Sequence, residues 1–518
     1  MRVAPLSVRM YHILADSFHV SQWIEAHGRS NGQSISFLRH LTEHVDLIKD
    51  AGWTHLYLTG GFVRGKLYAK GRGTPFCIRN HLEFEPSFGT ADELRSLATL
   101  MPVVLDFVPN HTAWDHPWMS NRDFYRSCSG SCQNEHCCRN GIHCAGFWDD
   151  RCGQRRHWSD IAQLNLTEPL VWEAHTHTAR ELLRLGIAGF RIDTADNFKD
   201  EQAIERLWGV RPRENYFQKM VARIRDEYPN TLLIAESNAG ADGLEACGID
   251  VVYDGSERTG ELAWRDELAG RDARAIQRKI TRLAQLFNEG RARQIDCGNH
   301  DQPAPRRRYG SWLPGAEALT FFAPGPLLFL GGNESEYDGW VDNDARMAAE
   351  EMETRPQPLS RECQVDWCSG GVTSLYARLF SERRAINGRL GSSVCWVPSK
   401  TDGSEGWVGY RVQGNSFSYT VLANPSQEPV AVREHGNVEL EPGGFRVLVQ
   451  DSNMLEQVFK RVVRAGERVK NLRVEADLHS NVLHLHGETR SYYARQCAQH
   501  AVMSLRENFS VKDHITSW

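Results

Sequence analysis

The sequence predicts an α/β protein built on a (β/α)8 TIM barrel. A loop domain is inserted after the third strand, and a C-terminal antiparallel β-sandwich and a small α+β tail module follow. Three observations lead there. Eight short apolar runs alternate with helical stretches over about 390 residues, a pattern of parallel strands joined by right-handed crossovers. Polar residues gather just past the C-terminal ends of several of these runs, where a barrel of this kind carries its site. No G-x-G-x-x-G turn supports the open, doubly wound alternative.

Taken in order, Val8 to Leu14 reads as the first strand. Ser36 to Ala51 follows with Phe37, Leu38, Leu41, Val45 and Ile48 at helical spacing. Trp53 to Leu58 is the second strand, and a Gly-rich loop runs through Gly73. A helix over Ala91 to Leu100 precedes the third strand, Val103 to Val108. After a cysteine-rich excursion come a helix, Leu170 to Leu185, and the fourth strand, Gly186 to Ile192. The helix Tyr216 to Asp226 leads to strands at Thr231 to Ala235 and Asp250 to Tyr253. Ala275 to Phe287 is helical, Arg293 to Cys297 and Leu327 to Leu330 complete the eight strands, and Val372 to Ile386 is a last helix.

From about Gly388 the pattern changes, by the alternation and turn chemistry of antiparallel strands. Ser416 to Ala423 and Phe445 to Val449 alternate around turns at Asn424-Pro425 and Pro442-Gly443-Gly444. The tail then offers two β-like runs, Leu472 to Glu475 and Val482 to His486, and a helix from Ser491 to Leu505. The expected boundaries are the barrel over 1–112 and 163–388, the insert over 113–162, the sandwich over 389–452 and the tail module over 453–518.

Composition excludes several classes. A net charge of -6 leaves no electrostatic footprint for nucleic acid. No run reaches the ~20 apolar residues of a transmembrane segment. The N-terminal stretch lacks the apolar core of a signal peptide, so the expected location is cytoplasmic. Six of the thirteen cysteines, Cys128, Cys132, Cys137, Cys138, Cys144 and Cys152, crowd the insert. In a reducing compartment such crowding suits free thiols or a metal site, or a loop stitched by thiols or disulfides or merely rich in cysteine, and Cys128, Cys132, Cys137 and Cys138 are the candidate zinc ligands, with His136, His143 or His157 nearby. The spacing matches no standard finger or ribbon.

The chemistry centres on G-F-R-I-D, Gly189 to Asp193. Arg191 and Asp193 are two apart, so an extended strand points both to one face. A cation beside a carboxylate favours its ionised form, which nucleophilic attack on a sugar requires. Other strand ends supply Asp106, Asn110 and His111, then Glu236, then Asn299, His300 and Asp301. Glu236 follows Leu232-Leu233-Ile234, where burial and neighbouring carboxylates would raise its pKa.

Four stretches, L-D-F-V-P-N-H (Leu105 to His111), G-F-R-I-D, I-A-E-S (Ile234 to Ser237) and G-N-H-D-Q-P (Gly298 to Pro303), resemble in order and spacing the signature regions of the α-amylase family, glycoside hydrolase family 13. The stretch E-P-S-F-G-T (Glu85 to Thr90) is similar to the family's approach to the third strand. The resemblance covers about residues 5 to 450 and implies a retaining α-glycosidase or transglycosidase, acting on α-glucosidic bonds of oligosaccharides or α-glucans through a covalent glycosyl-aspartate intermediate. It implies Asp193 as nucleophile, Glu236 as acid/base and Asp301 as transition-state stabiliser. It places Arg191, His111 and His300 around the −1 sugar, with Asp106 orienting them from below. No cofactor is required, and calcium at Asn110 is compatible with some members. The alternative is a non-catalytic amylase-like protein that binds carbohydrate or serves as a scaffold.

This chain departs from the family pattern in places. Phe76-Cys77 stands where members commonly carry an aromatic followed by Asp, so Phe76 can stack on a sugar while Cys77 supplies no carboxylate. Asn197 stands where many members have His, and Asp196 where many have Lys, which predicts a different leaving-group subsite. Trp114, Trp118, Trp148, Trp158 and Tyr125 in the insert are candidates for sugar stacking or for packing. The tail from Val469 to Val502, with H-G-E-T-R-S-Y-Y at its centre, resembles a BON domain. That likeness implies a protein or membrane-surface partner through the C-terminal module.

Overall fold

The computed structural model describes residues 7–14, 36–67, 74–128, 138–149, 154–237, 241, 243–255, 262–335, 372–391, 393–435, 438–451, 469–477, 482–489, 492–503 and 510–517. The chain divides into two compact units. The first takes Met1–Ala263, Ala292–Ala304 and Gly325–Gly371, and the second takes Trp264–Arg291, Pro305–Pro324 and Val372–Trp518.

In the first unit all eight expected barrel strands form: β1 Arg9–Leu14, β2 His55–Thr59, β3 Val103–Phe107, β4 Gly189–Ile192, β5 Leu232–Ala235, β6 Val251–Tyr253, β7 Ala292–Gln294 and β8 Leu327–Leu330. They pair in parallel in the order β7-β6-β5-β4-β3-β2-β1-β8. A parallel bridge between Ile295 and Leu327 brings the two outer strands together, with Leu328 N donating to Ile295 O at 3.0 Å. Most of these strands are buried on both faces, which is why most of them read as apolar runs.

Period-two alternation sorts each strand's residues by face. Met10, Tyr57, Val104, Ile234, Val251 and Leu328 form one apolar cluster. Two residues on from Val104 comes Asp106, and two on from Ile234 comes Glu236. The register pairs Gly189 with Val104 and Arg191 with Asp106. One face of the sheet therefore changes from apolar to charged toward the strands' C-terminal ends. Gly189 is required by the close approach of β5, because a Cβ there would sit 1.9 Å from Leu232 O.

Helices lie where the spacing predicts. Phe37–Asp50 is capped by Ser36, whose Oγ accepts from Arg39 N, and buries Phe37, Leu38, Leu41, Val45 and Ile48. Ala91–Leu100 starts with a reciprocal capping box between Thr90 and Glu93. The insert forms an antiparallel sheet in the order His111–Ala113, Gln154–Gln163, Ile142–Asp149, Cys138–Arg139.

The second unit holds a seven-stranded sheet: β9 Cys395–Pro398, β10 Val408–Gln413, β11 Phe417–Ala423, β12 Phe445–Asp451, β13 Lys470–Asp477, β14 Val482–Thr489 and β15 Ser510–Ser517. They lie in sequence order and pair antiparallel except for β14 with β15. A two-stranded sheet, Val430–Val432 with Val438–Leu440, covers one side through Trp407, Leu422, Val432, Val438, Leu440 and Leu448. The sheet runs on from β12 into β13, across residues 452–453 where the sequence suggests separate domains. The helices Ala273–Asn288 and Leu313–Phe321 belong to this unit. Gln277 ties the former to β10, accepting from Gly409 N at 2.9 Å and donating to Gly409 O at 3.2 Å. Among the described residues no helix is long and apolar enough to cross a membrane.

Candidate active site

At the C-terminal ends of β3, β4 and β5, Arg191 is the hub. It is 1% exposed, and its Nη1 donates to Asp193 Oδ1 at 2.7 Å and to Asp106 Oδ1 at 3.3 Å. Its Nη2 lies 2.8 Å from Glu236 Oε1, and its Nε donates to Tyr253 Oη at 3.4 Å. One guanidinium thus meets three carboxyl groups contributed by three neighbouring strands. The strand pairing makes this possible. Asp193 N donates to Phe107 O and Glu236 N to Ile192 O, so the register carries one residue past each strand and sets Asp193 level with Glu236. Adjacent strands lie about 4.8 Å apart, so the two carboxyl groups stand side by side.

β4 ends abruptly. Thr194 adopts φ 48, a left-handed conformation that costs a β-branched residue on the order of 1–3 kcal/mol. The turn aims Thr194 N at Glu236 Oε2, at 2.8 Å. Local strain is therefore spent fixing the second carboxylate.

Electrostatics separate the two groups. Burial, reinforced by Asp193 and Asp301, pushes Glu236 up to about 8 against the pull of Arg191. It therefore keeps its proton at neutral pH. Burial also lifts Asp193 above the ordinary carboxylate range, while the Arg191 guanidinium and its hydrogen bond pull it back. Two such neighbours do not both ionise readily. Burial depresses His111 to about 3, so its imidazole is neutral and can donate a hydrogen bond.

Asp301 stands at the rim, with its side chain 53% exposed and its Oδ2 3.3 Å from His300 Nε2. Phe76 lies between the two halves of the crater, its ring 5.5 Å from that of His300 and 5.4 Å from the Arg191 guanidinium carbon. Asp193, Glu236, Asp301, Asp106, Arg191, His300 and Phe76 are thus linked by direct contacts.

Asn197 and Asn110 lie at the junction with the insert. Asn197 Nδ2 donates to Asn110 Oδ1 at 3.3 Å and to Gly146 O at 3.1 Å. Gln163 Nε2 donates to Asn110 Oδ1 at 2.9 Å, and Asn110 Nδ2 lies 3.2 Å from His111 Nδ1. Two amide donors already face the Asn110 oxygen, an environment that does not fit a calcium ligand. Asn110 and Asn197 together fasten the insert and orient His111. Asp196 accepts from Ser237 Oγ. Cys77 is fully buried with Ala113, Ala145 and Ile161. Trp118 stacks with His81 and meets His116 and His175, and Tyr125 is buried with its hydroxyl 2.8 Å from Thr112 Oγ1, so both pack the insert. Cys132, Cys137, His136 and Cys152 lie outside the described residues, as does the structure around them. Cys128 and Cys138 lie together with His143 in the insert.

Three residues of the crater escape the motif reading. Tyr57 donates to Asp106 Oδ1 at 2.6 Å, His12 stacks on Tyr57 at 4.1 Å and meets His300 edge-on, and Tyr253 faces Arg191. Their only signal is a polar or amphipathic residue inside an apolar strand.

The α-amylase catalytic-domain family matches residues 23–365. The chain belongs to the α-amylase family. It is 29% identical over 238 residues to the trehalose synthase/amylase TreS of Mycolicibacterium smegmatis, covering 40% of this chain and 38% of that protein. It is 27% identical over 188 residues to Maltase A1 of Drosophila melanogaster, covering 32% of each. The chain thus spans well under half the length of these curated relatives. Among solved structures, cyclic α-maltosyl-(1→6)-maltose hydrolase from Arthrobacter globiformis superposes with a TM-score of 0.62 at 17% identity, covering 87% of this chain and 100% of that one. Trehalose-6-phosphate hydrolase from Bacillus licheniformis gives 0.61 at 14% identity, covering 86% and 99%. These likenesses establish the family's fold over both units.

Proposed function

We propose that the chain is a retaining α-glycosidase or transglycosidase acting on α-glucosidic bonds of oligosaccharides or α-glucans. Ionised Asp193 attacks the anomeric carbon while Glu236 gives its proton to the departing glycosidic oxygen, forming a glycosyl–Asp193 ester. Glu236, now a carboxylate, then takes a proton from water or a sugar hydroxyl, whose oxygen displaces Asp193 and restores both groups. Asp301, at the rim, stabilises the oxocarbenium-like transition state, and His111, His300 and Arg191 hold the sugar. Phe76 offers a ring face to it.

The observation that carries this reading is the single buried guanidinium shared by Asp193 and Glu236, with Glu236 raised to about 8. The named relatives, which include a maltase and a trehalose synthase/amylase, support an α-glucosidic substrate. The test is incubation with maltooligosaccharides, trehalose, sucrose and isomaltose, followed by NMR of the first-formed anomers. Products retaining the α configuration are expected. Net inversion would exclude the covalent route, and no turnover of any substrate would favour the non-catalytic reading.

We also propose, from the BON-like tail, an association role for residues 453–518. The order of two strands and a helix at Lys470–Asp477, Val482–Thr489 and Tyr492–Met503 supports it. Co-sedimentation with anionic vesicles separates a membrane surface from a protein partner.

A further inference from the structure

We propose that Cys128, Cys138 and His143 form a structural site for one zinc ion in the inserted domain, separate from the catalytic crater. Cys138-Arg139-Asn140-Gly141-Ile142-His143 is a hairpin whose two-residue turn carries φ 49 at Asn140 and 75 at Gly141. That Asn-Gly turn suits the twist of the flanking strands and fixes their register. The register sets Cys138 directly opposite His143. His143 N turns away to donate to Arg126 O at 3.0 Å, so the two residues form the close, non-hydrogen-bonded kind of cross-strand pair. Cys138 Sγ and His143 Nδ1 are 3.1 Å apart.

The third donor comes from the preceding segment. Cys128 N donates to Gly141 O at 2.8 Å, and Ser127 bridges Ile142. This docks Cys128 beside the turn. The donor atoms of Cys128, Cys138 and His143 all lie within 4.8 Å of one another, and the three side chains are half-buried. A tetrahedral zinc ion, with Zn–S about 2.3 Å and Zn–N about 2.0–2.1 Å, sets its ligands roughly 3.6–3.8 Å apart, so small side-chain rotations close the trio around it. Two thiolates and an imidazole select zinc over calcium or magnesium.

The test measures metal in the full-length protein, purified without chelators and without added zinc, by inductively coupled plasma mass spectrometry. About one equivalent is expected, since structural sites are normally filled. Cys138→Ser and His143→Ala are each expected to lower it at least tenfold, while Cys395→Ser, an exposed cysteine outside the insert, leaves it unchanged. Cobalt(II) loaded in place of zinc is expected to show thiolate charge-transfer absorption and tetrahedral d–d bands in the wild type. If the variants fail to fold, the wild-type zinc content and cobalt spectrum decide alone. Less than about half an equivalent of zinc in wild type overturns the proposal. So does an undiminished content in Cys138→Ser, or a Cys128–Cys138 disulfide found by mass spectrometry of protein prepared without air.

Discussion

Replacing Glu236 by Gln tests the chemistry most sharply. The amide keeps the shape of the side chain and an oxygen to accept from Thr194 N, but its N–H groups are not acidic enough to protonate a leaving oxygen. A general acid of this kind contributes about 10²–10⁴-fold, so kcat/KM on maltose is expected to fall by that factor. On 2,4-dinitrophenyl α-glucoside, whose leaving group departs without protonation, the loss in the glycosylation step should be far smaller. The pH profile supplies the second reading. With Glu236 titrating at about 8 in the free enzyme, wild-type kcat/KM should halve near pH 8 and drop to about a tenth by pH 9, as the proton is lost. The group's pKa is raised, so the active, protonated form lies on the acid side of that limb. In Glu236→Gln the limb should vanish. Equal losses on both substrates, or a basic limb unchanged in the variant, would refute the assignment.

Other outcomes follow from the same hub. Asp193→Asn should lower kcat on any α-glucoside by roughly a thousandfold or more while the far-ultraviolet circular dichroism stays native. Arg191→Met leaves Asp106, Asp193 and Glu236 buried without their shared cation, and should cost about 3–5 kcal/mol in urea unfolding. Tyr57→Phe removes one donor to Asp106 and should cost about 1–3 kcal/mol by the same measurement. Gly189→Ala should abolish soluble expression, because the new methyl would have to occupy the position of the Leu232 carbonyl.

Much of this architecture was legible because its signals are local. Apolar runs such as Leu232 to Ala235 announce buried strands wherever they occur, and the spacing of Phe37, Leu41, Val45 and Ile48 announces a helix. The contact between Arg191 and Asp193 was readable for the same reason, since the two share a face by spacing alone. What escaped depends on partners distant in sequence. Tyr57 becomes a site residue only through Asp106, 49 positions on. Asn197 meets Asn110 and Gly146 through its amide nitrogen, partners 87 and 51 positions away that its motif does not announce. The seven-stranded sheet was equally hidden. Nothing in the local alternation of β12 says that its next neighbour lies beyond residues 452–468.

That shared sheet has a practical meaning for anyone trimming the molecule. Cutting the chain after Asp451 would not release a self-contained appendage. It would strip β12 of the partner at Leu448 and Val449 and leave a fresh row of backbone donors and acceptors facing water. Such a shortened protein would tend to stick to its own copies, so a loss of yield on truncation would report a torn seam rather than a missing activity.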